Sequence, residues 1–214
     1  MRYAWAVLLA LLLAAAAPQA PAVPLFSDAR LSEALGRFDA HPGAWVEYAV
    51  LPKKGPQARL RISVLSAPGP DGRYWLEVQS QQPKALPVAV KMLFHGAPGH
   101  LENLERLYVF IEGLAPMELP LDDARAEMKP KDGPPPKVAH RGTEDLKLQI
   151  GSFRCDVLQV KDARVFRSER VPLWGLVRET DKEQRIELVG FGQAGAESVF
   201  PREFDQGSGS ESTK

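Results

Sequence analysis

The chain predicts an α+β fold, mostly β: a curved antiparallel sheet, an incomplete barrel of about nine strands, wrapped around one or two short helices. Three observations predict it. Short apolar/polar alternations recur between residues 45 and 191, separated by turn-forming clusters. Two short segments show helical spacing. The third observation is a shortage of cover. Nine strands at about 4.8 Å make a sheet roughly 40 Å wide, whereas a short helix is only about 10 Å across and about 18 Å long. An amphipathic sheet must bury its apolar face, so this one must curl on itself or leave a concave apolar surface.

The elements follow in order. Residues 1–22 form a separate object: Arg2, an unbroken apolar run over 4–17, and the small-residue motif Ala20-Pro21-Ala22. This is the three-part pattern of a secretory signal. The run spans only about 21 Å as a helix, short of the roughly 30 Å hydrocarbon core. Cleavage near Ala22 therefore releases a mature form that does not span the membrane, and the expected location is the periplasm or the extracellular space. Residues 23–206 then form one domain. Ser27 caps a helix over 28–39, with Leu31, Leu35 and Phe38 on one apolar stripe, and His41-Pro42-Gly43 ends it.

Strands come next. Val46, Tyr48 and Val50 alternate with Trp45, Glu47 and Ala49; Leu60, Ile62 and Val64 alternate with Arg59, Arg61 and Ser63. Tyr74, Leu76 and Val78 alternate with Arg73, Glu77 and Gln79, which places Trp75 on the polar side. Val88, Val90, Met92 and Phe94 line one face of a fourth strand, and residues 104–111 end apolar on both faces. Residues 121–128 suggest a short helix. A Pro-rich loop over 129–142 carries Pro134-Pro135-Pro136. Further strands are expected over 145–150, 153–160, 164–168, 174–179 and 185–191, with a tight turn at Gly151-Ser152. The tail 207–214 is Gly, Ser and charge, a disordered composition.

Composition narrows the function. Lys+Arg and Asp+Glu number 27 each, so no basic excess points to nucleic acid. Cys155 is the single cysteine, which excludes an internal disulfide and a Cys-based metal site; its alternation with Phe153 and Val157 marks a core position. Gly207-Ser208-Gly209 has no strand before it and no helix after it, so it is no nucleophile elbow. Met92, His95 and His100 could collect a soft metal, but Pro98 and Gly99 make the histidines strand-end and turn residues. Asp122-Asp123 and Glu144-Asp145 are adjacent pairs, which point apart on a strand. No catalytic residue, metal or cofactor is expected, and the chain reads as a non-enzyme.

The order of parts resembles the LolA/LolB-like lipoprotein carriers and related exported lipid-binding proteins: a signal, an amphipathic helix, a strand meander, a mid-chain helical insertion and further strands. The stretch from Ser168 through Val171-Pro172-Leu173-Trp174-Gly175 to Arg178, followed by Glu187-Leu188-Val189-Gly190-Phe191-Gly192, is similar to a segment of exported bacterial proteins of this broad kind. The resemblance implies a half-barrel closed by helices around an apolar cavity for acyl chains. The expected ligand is a lipid, acyl chain or lipoprotein. Its expected lining is Val46, Tyr48, Ile62, Leu76, Val90, Met92 and Phe94 on the sheet, with Leu31, Leu35 and Phe38 on the lid. The alternative is an envelope scaffold with a filled core and an exposed sheet edge for a protein partner.

Overall fold

The computed structural model describes residues 38–66, 72–98, 100–122, 137–201 and 204. The signal segment, Leu31, Leu35, most of both expected helices, the polyproline run and the 207–214 tail lie outside them.

Eleven strands form one antiparallel sheet: β1 (Trp45–Pro52), β2 (Ala58–Ser66), β3 (Arg73–Gln81), β4 (Val88–His95), β5 (Leu104–Ile111), β6 (Met117–Glu118), β7 (Val138–Leu148), β8 (Gly151–Val160), β9 (Ala163–Arg167), β10 (Leu176–Thr180) and β11 (Gln184–Gly192). Their spatial order is β6-β5-β4-β3-β2-β1-β11-β10-β9-β8-β7. The chain thus lays down one meander from β1 to β6 and a second from β7 to β11, and the β1–β11 pair joins them. The outer edges, β6 and β7, are consecutive in the chain. The sheet is open, with β6 and β7 at its two ends.

Alternation decides which face of each strand is buried. Val46, Tyr48 and Val50 are at most 1 % exposed, while their neighbours on β1 are half-buried. Leu60, Ile62 and Val64 repeat this on β2, and register places Tyr48 opposite Leu60 and Val46 opposite Ile62. A one-residue slip would turn both sets outward, so the apolar period itself holds the register. The resulting cluster runs from Phe94 and Leu107 in the first meander to Phe153 and Leu158 in the second.

Several expectations need correction. There are eleven strands, not nine. The two-residue β6, with both residues exposed, was not expected, and β7 is longer than the strand expected over 145–150, with eight of its eleven residues exposed. Backbone pairing to β8 holds β7 in place, and it begins at Val138, inside the segment expected to be loop. The turn falls at residues 149–150, so Gly151 and Ser152 open β8. Ile150, expected at the end of a strand, is 38 % exposed in that turn. The expected helical cover is also missing among the described residues. They contain a 3-10 turn at Leu101–Asn103 and the start of a helical turn at 121–122. Phe38 and Asp39, the last described part of the expected first helix, are not helical; Asp39 bridges to Leu173, its N–H donating to the Leu173 carbonyl at 3.0 Å.

The sheet carries a second, smaller core on its convex face. Trp75, Ala89, Leu93 and Tyr108 pack there against Phe200. The chain beyond β11 supplies that cover. The Trp45 indole N–H donates to the Ala194 carbonyl, the Ala196 N–H donates to the Gly43 carbonyl, and the Phe200 ring lies 5.5 Å from Phe110. Trp45 can lie flat here because β11 offers no side chain beneath it: a Cβ at Gly192 would sit 2.5 Å from the indole nitrogen. Placing Trp75 on the polar side was therefore right as to side, and the polar side is dry at that point.

Candidate functional site

The concave face brings the expected sheet residues together. Val46, Tyr48, Ile62, Leu76, Met92 and Phe94 belong to one cluster, with Val90 and Phe38 packed against it. Exposure is 0 % at Val46, Ile62 and Leu76, 1 % at Tyr48, 2 % at Phe94 and 8 % at Met92. Leu31 and Leu35 lie outside the described residues.

A loop shelters this face. Residues 168–175 connect β9 to β10 and insert Val171, Leu173 and Trp174, each at most 3 % exposed. Phe38 stacks between Trp174 and Tyr74, with ring centroids 4.6 and 5.8 Å away. The Tyr74 hydroxyl donates to the Gly96 carbonyl at 2.7 Å, and burial raises its pKa. Three contacts close the loop on itself and on β9: Ser168 N–H to Gly175 O, Val171 N–H to Ser168 O, and Arg167 Nε to Trp174 O. Its backbone is unusual. Leu173 adopts φ 65°, a left-handed conformation that costs a branched residue on the order of 1 kcal/mol or more. Gly175 has φ +73° and its missing Cβ would lie 2.9 Å from the Ser168 carbonyl, so glycine is required there. The Pro172-to-Gly175 stretch thus makes a reversal whose apolar side chains turn into the sheet. The strand expected over 174–179 begins at Leu176, so Trp174 and Gly175 belong to the connection between β9 and β10.

One acid lies in the apolar interior. Register defines a row across six strands: Ala58, Val50, Ile186, Glu179, Val165 and Leu158. The five apolar members are between 0 and 5 % exposed, and Glu179 is 3 % exposed. Its Oε2 has no hydrogen-bond partner. Burial, with a smaller contribution from the Asp181 charge, raises the carboxyl from 4.5 to about 7. Tyr48 is close enough for the Glu179 charge to add to the burial that raises its phenol, and its hydroxyl donates to the Leu176 carbonyl at 3.2 Å. No local signal in the sequence marks Glu179, because a charged residue near a hairpin tip ordinarily faces water.

The convex face holds a contrasting acid. Glu77 and Lys91 are register partners, both 0 % exposed. Glu77 accepts from the Ser198 hydroxyl at 2.6 Å, the Val199 N–H at 3.0 Å and the Gln79 amide at 2.9 Å. The Lys91 ammonium lies 3.4 Å from the Ser198 hydroxyl and over the Trp75 and Phe200 rings. This network fastens the C-terminal segment. Two open depressions also lie on the convex side, one of about 350 Å³ beside Phe110 and Val199, the other of about 340 Å³ beside Arg59 and Gln81.

The remaining candidates fall into place. Cys155 is fully buried, and burial pushes its thiol up to about 11, so little reactive thiolate exists at neutral pH. His95 is exposed near Glu105 at 3.9 Å, and the His100 ring meets Glu102 at 3.1 Å. Met92 points into the concave cluster, so it does not join them. Among the described residues no three His, Cys, Asp or Glu side chains cluster as metal ligands. Glu144 and Asp145 are opposed to Cys155 and Arg154 on β8, and Glu144 pairs with Arg164.

No protein-family model matches the chain, and no curated protein matches it in sequence. Among solved structures, a "putative lipoprotein" from Parabacteroides distasonis aligns with 72 % of this chain and 99 % of its own, at 11 % identity and a TM-score of 0.34. A likeness at that level carries no argument about fold or function.

Proposed function

We propose that this chain is an exported, periplasmic protein that binds an acyl chain, lipid or lipoprotein on its concave face and catalyses no reaction. The observation that carries the reading is an apolar face on a sheet that does not close, sheltered among the described residues by the 168–175 loop together with Phe38. The secretory pattern of residues 1–22 and the resemblance to LolA/LolB-like carriers support it. The lining side chains are nearly sealed, so a guest must displace what covers them. Val171, Leu173 and Trp174 are the natural piece to move, because the left-handed backbone at Leu173 is relieved when the loop lifts. Each methylene that replaces them returns about 0.8 kcal/mol, so a long chain can offset the loss of the Trp174 contacts without strong polar bonds.

The test is native mass spectrometry of protein purified from its own host, followed by titration of the delipidated protein with a fluorescent fatty-acyl probe. Co-purifying lipid and saturable uptake are the expected results. Bare protein that takes up no probe overturns the reading. The second reading, an envelope scaffold with a filled core, is favoured by the 0–1 % exposure of Val46, Tyr48, Ile62 and Leu76. It predicts no uptake and an envelope protein partner instead.

A further inference from the structure

We propose that Glu179 is the polar anchor of the concave face and selects an apolar chain whose head group is uncharged and donates a hydrogen bond, such as a hydroxyl or an amide. The inference rests on the ligand-binding reading above and names the class of ligand.

Glu179 has an unmet hydrogen bond. A buried oxygen without a donor costs roughly 1–3 kcal/mol, and native structures rarely leave one without a reason. Glu179 sits mid-row between Ile186 and Val165, and its Oε2 meets no donor. Glu77, on the other face, has three donors.

Charge then fixes the head group. The titratable groups that bear on Glu179 are the Tyr48 phenol and the Asp181 carboxylate. The Tyr48 hydroxyl donates to Leu176 O, and Asp181 accepts the Glu183 and Gln184 N–H groups, so neither serves Glu179. Arg178 faces the other way, bonded to Glu187 through two nitrogens. The buried lysine, Lys91, belongs to the convex cluster's network. An anionic head placed here would meet a carboxyl and no described buried cation. A cationic head would lose its hydration on an aliphatic row. An uncharged donor satisfies Oε2 whether the acid is protonated or ionised.

The test uses the full delipidated protein and three probes of equal chain length: a fatty alcohol, the fatty acid, and its methyl ester, which cannot donate. The alcohol should bind about tenfold tighter than the ester, and the acid should bind weakest at mildly alkaline pH. Glu179→Leu should erase the alcohol's advantage over the ester, whereas Glu179→Gln, which keeps an acceptor, should retain part of it. Equal binding of alcohol and ester by the wild type, or an advantage that survives in E179L, overturns the proposal and leaves the ligand reading standing. If E179L does not fold, the wild-type alcohol-to-ester ratio decides alone. Failure of all three probes to bind the wild type overturns the ligand reading, and this proposal falls with it.

Discussion

Glu77 and Glu179 make an instructive pair. Both are glutamates on strands of one sheet, and both are buried, at 0 and 3 % exposure. Glu77 faces the convex side, opposite Lys91, and holds three donors. Glu179 faces the concave side among aliphatic neighbours, with one oxygen unserved and its pKa raised to about 7. Burial alone therefore does not set what a buried acid does. The partners that fold around it do. Around Glu77 the chain beyond β11 folds down and completes a network, so the acid stabilises. Around Glu179 no such segment arrives among the described residues, so the acid is a cost that the remainder of the fold offsets.

Substitutions can break this contrast. The largest effect is expected at Glu77. Glu77→Leu strands the Ser198 hydroxyl, the Val199 N–H and Lys91, and should lower unfolding free energy by on the order of 4 kcal/mol in urea titration. A loss below about 1 kcal/mol would remove Glu77 from its structural role.

Next comes the pH dependence of Glu179. Its native pKa lies above the unfolded value, so the native state keeps a proton that the unfolded chain releases. The stabilisation linked to that proton is complete below the ordinary value of 4.5, is lost as pH rises to about 7, and changes no further above that. The drop amounts to about 3 kcal/mol as an upper bound. The difference in stability between wild type and Glu179→Gln should follow that curve; a difference independent of pH would place the carboxyl in water.

A smaller effect is expected at Ser198, which donates to Glu77 and accepts from the Phe200 N–H. Ser198→Ala should cost about 1–2 kcal/mol, and proteolysis should cut the 194–204 segment faster while β1 stays protected from hydrogen exchange. Equal protease resistance would mean that Phe200 and Phe204 hold the segment without the polar network. The smallest effect serves as a control. Lys182 and Asp162 pair at 2.7 Å but are fully exposed, the hydrogen bond drawing the Asp162 carboxyl below its usual range. Lys182→Ala should leave the thermal midpoint unchanged.

Much of the sheet was legible. Strands with a buried face and a wet face, such as Leu60-Ile62-Val64 against Arg59-Arg61, announce themselves through period two, because side chains alternate across a pleat. The concave lining was readable for the same reason: Val46, Ile62, Leu76 and Met92 share parity within their strands, and antiparallel pairing brings equal parity to one face. The first part of β7, residues 138–144, was not readable, since its polar residues are held by backbone bonds to β8 that any sequence could make. The connection over 169–173 was legible as a break between strands, but its inward turn was not, because the left-handed backbone at Leu173 leaves no local sequence mark.

Sequence alone determined the local periods, the charge balance, the solitary cysteine and the mostly-β class, because each depends on neighbours within a few residues. The tertiary structure decided what no local window contains. It set the β1–β11 pairing that joins the two meanders, placed Trp75 and Lys91 beneath residues more than a hundred positions away, and left Glu179 without a donor. Those outcomes depend on which distant groups arrive at the same place, and the free energy of a buried charge is fixed by that company.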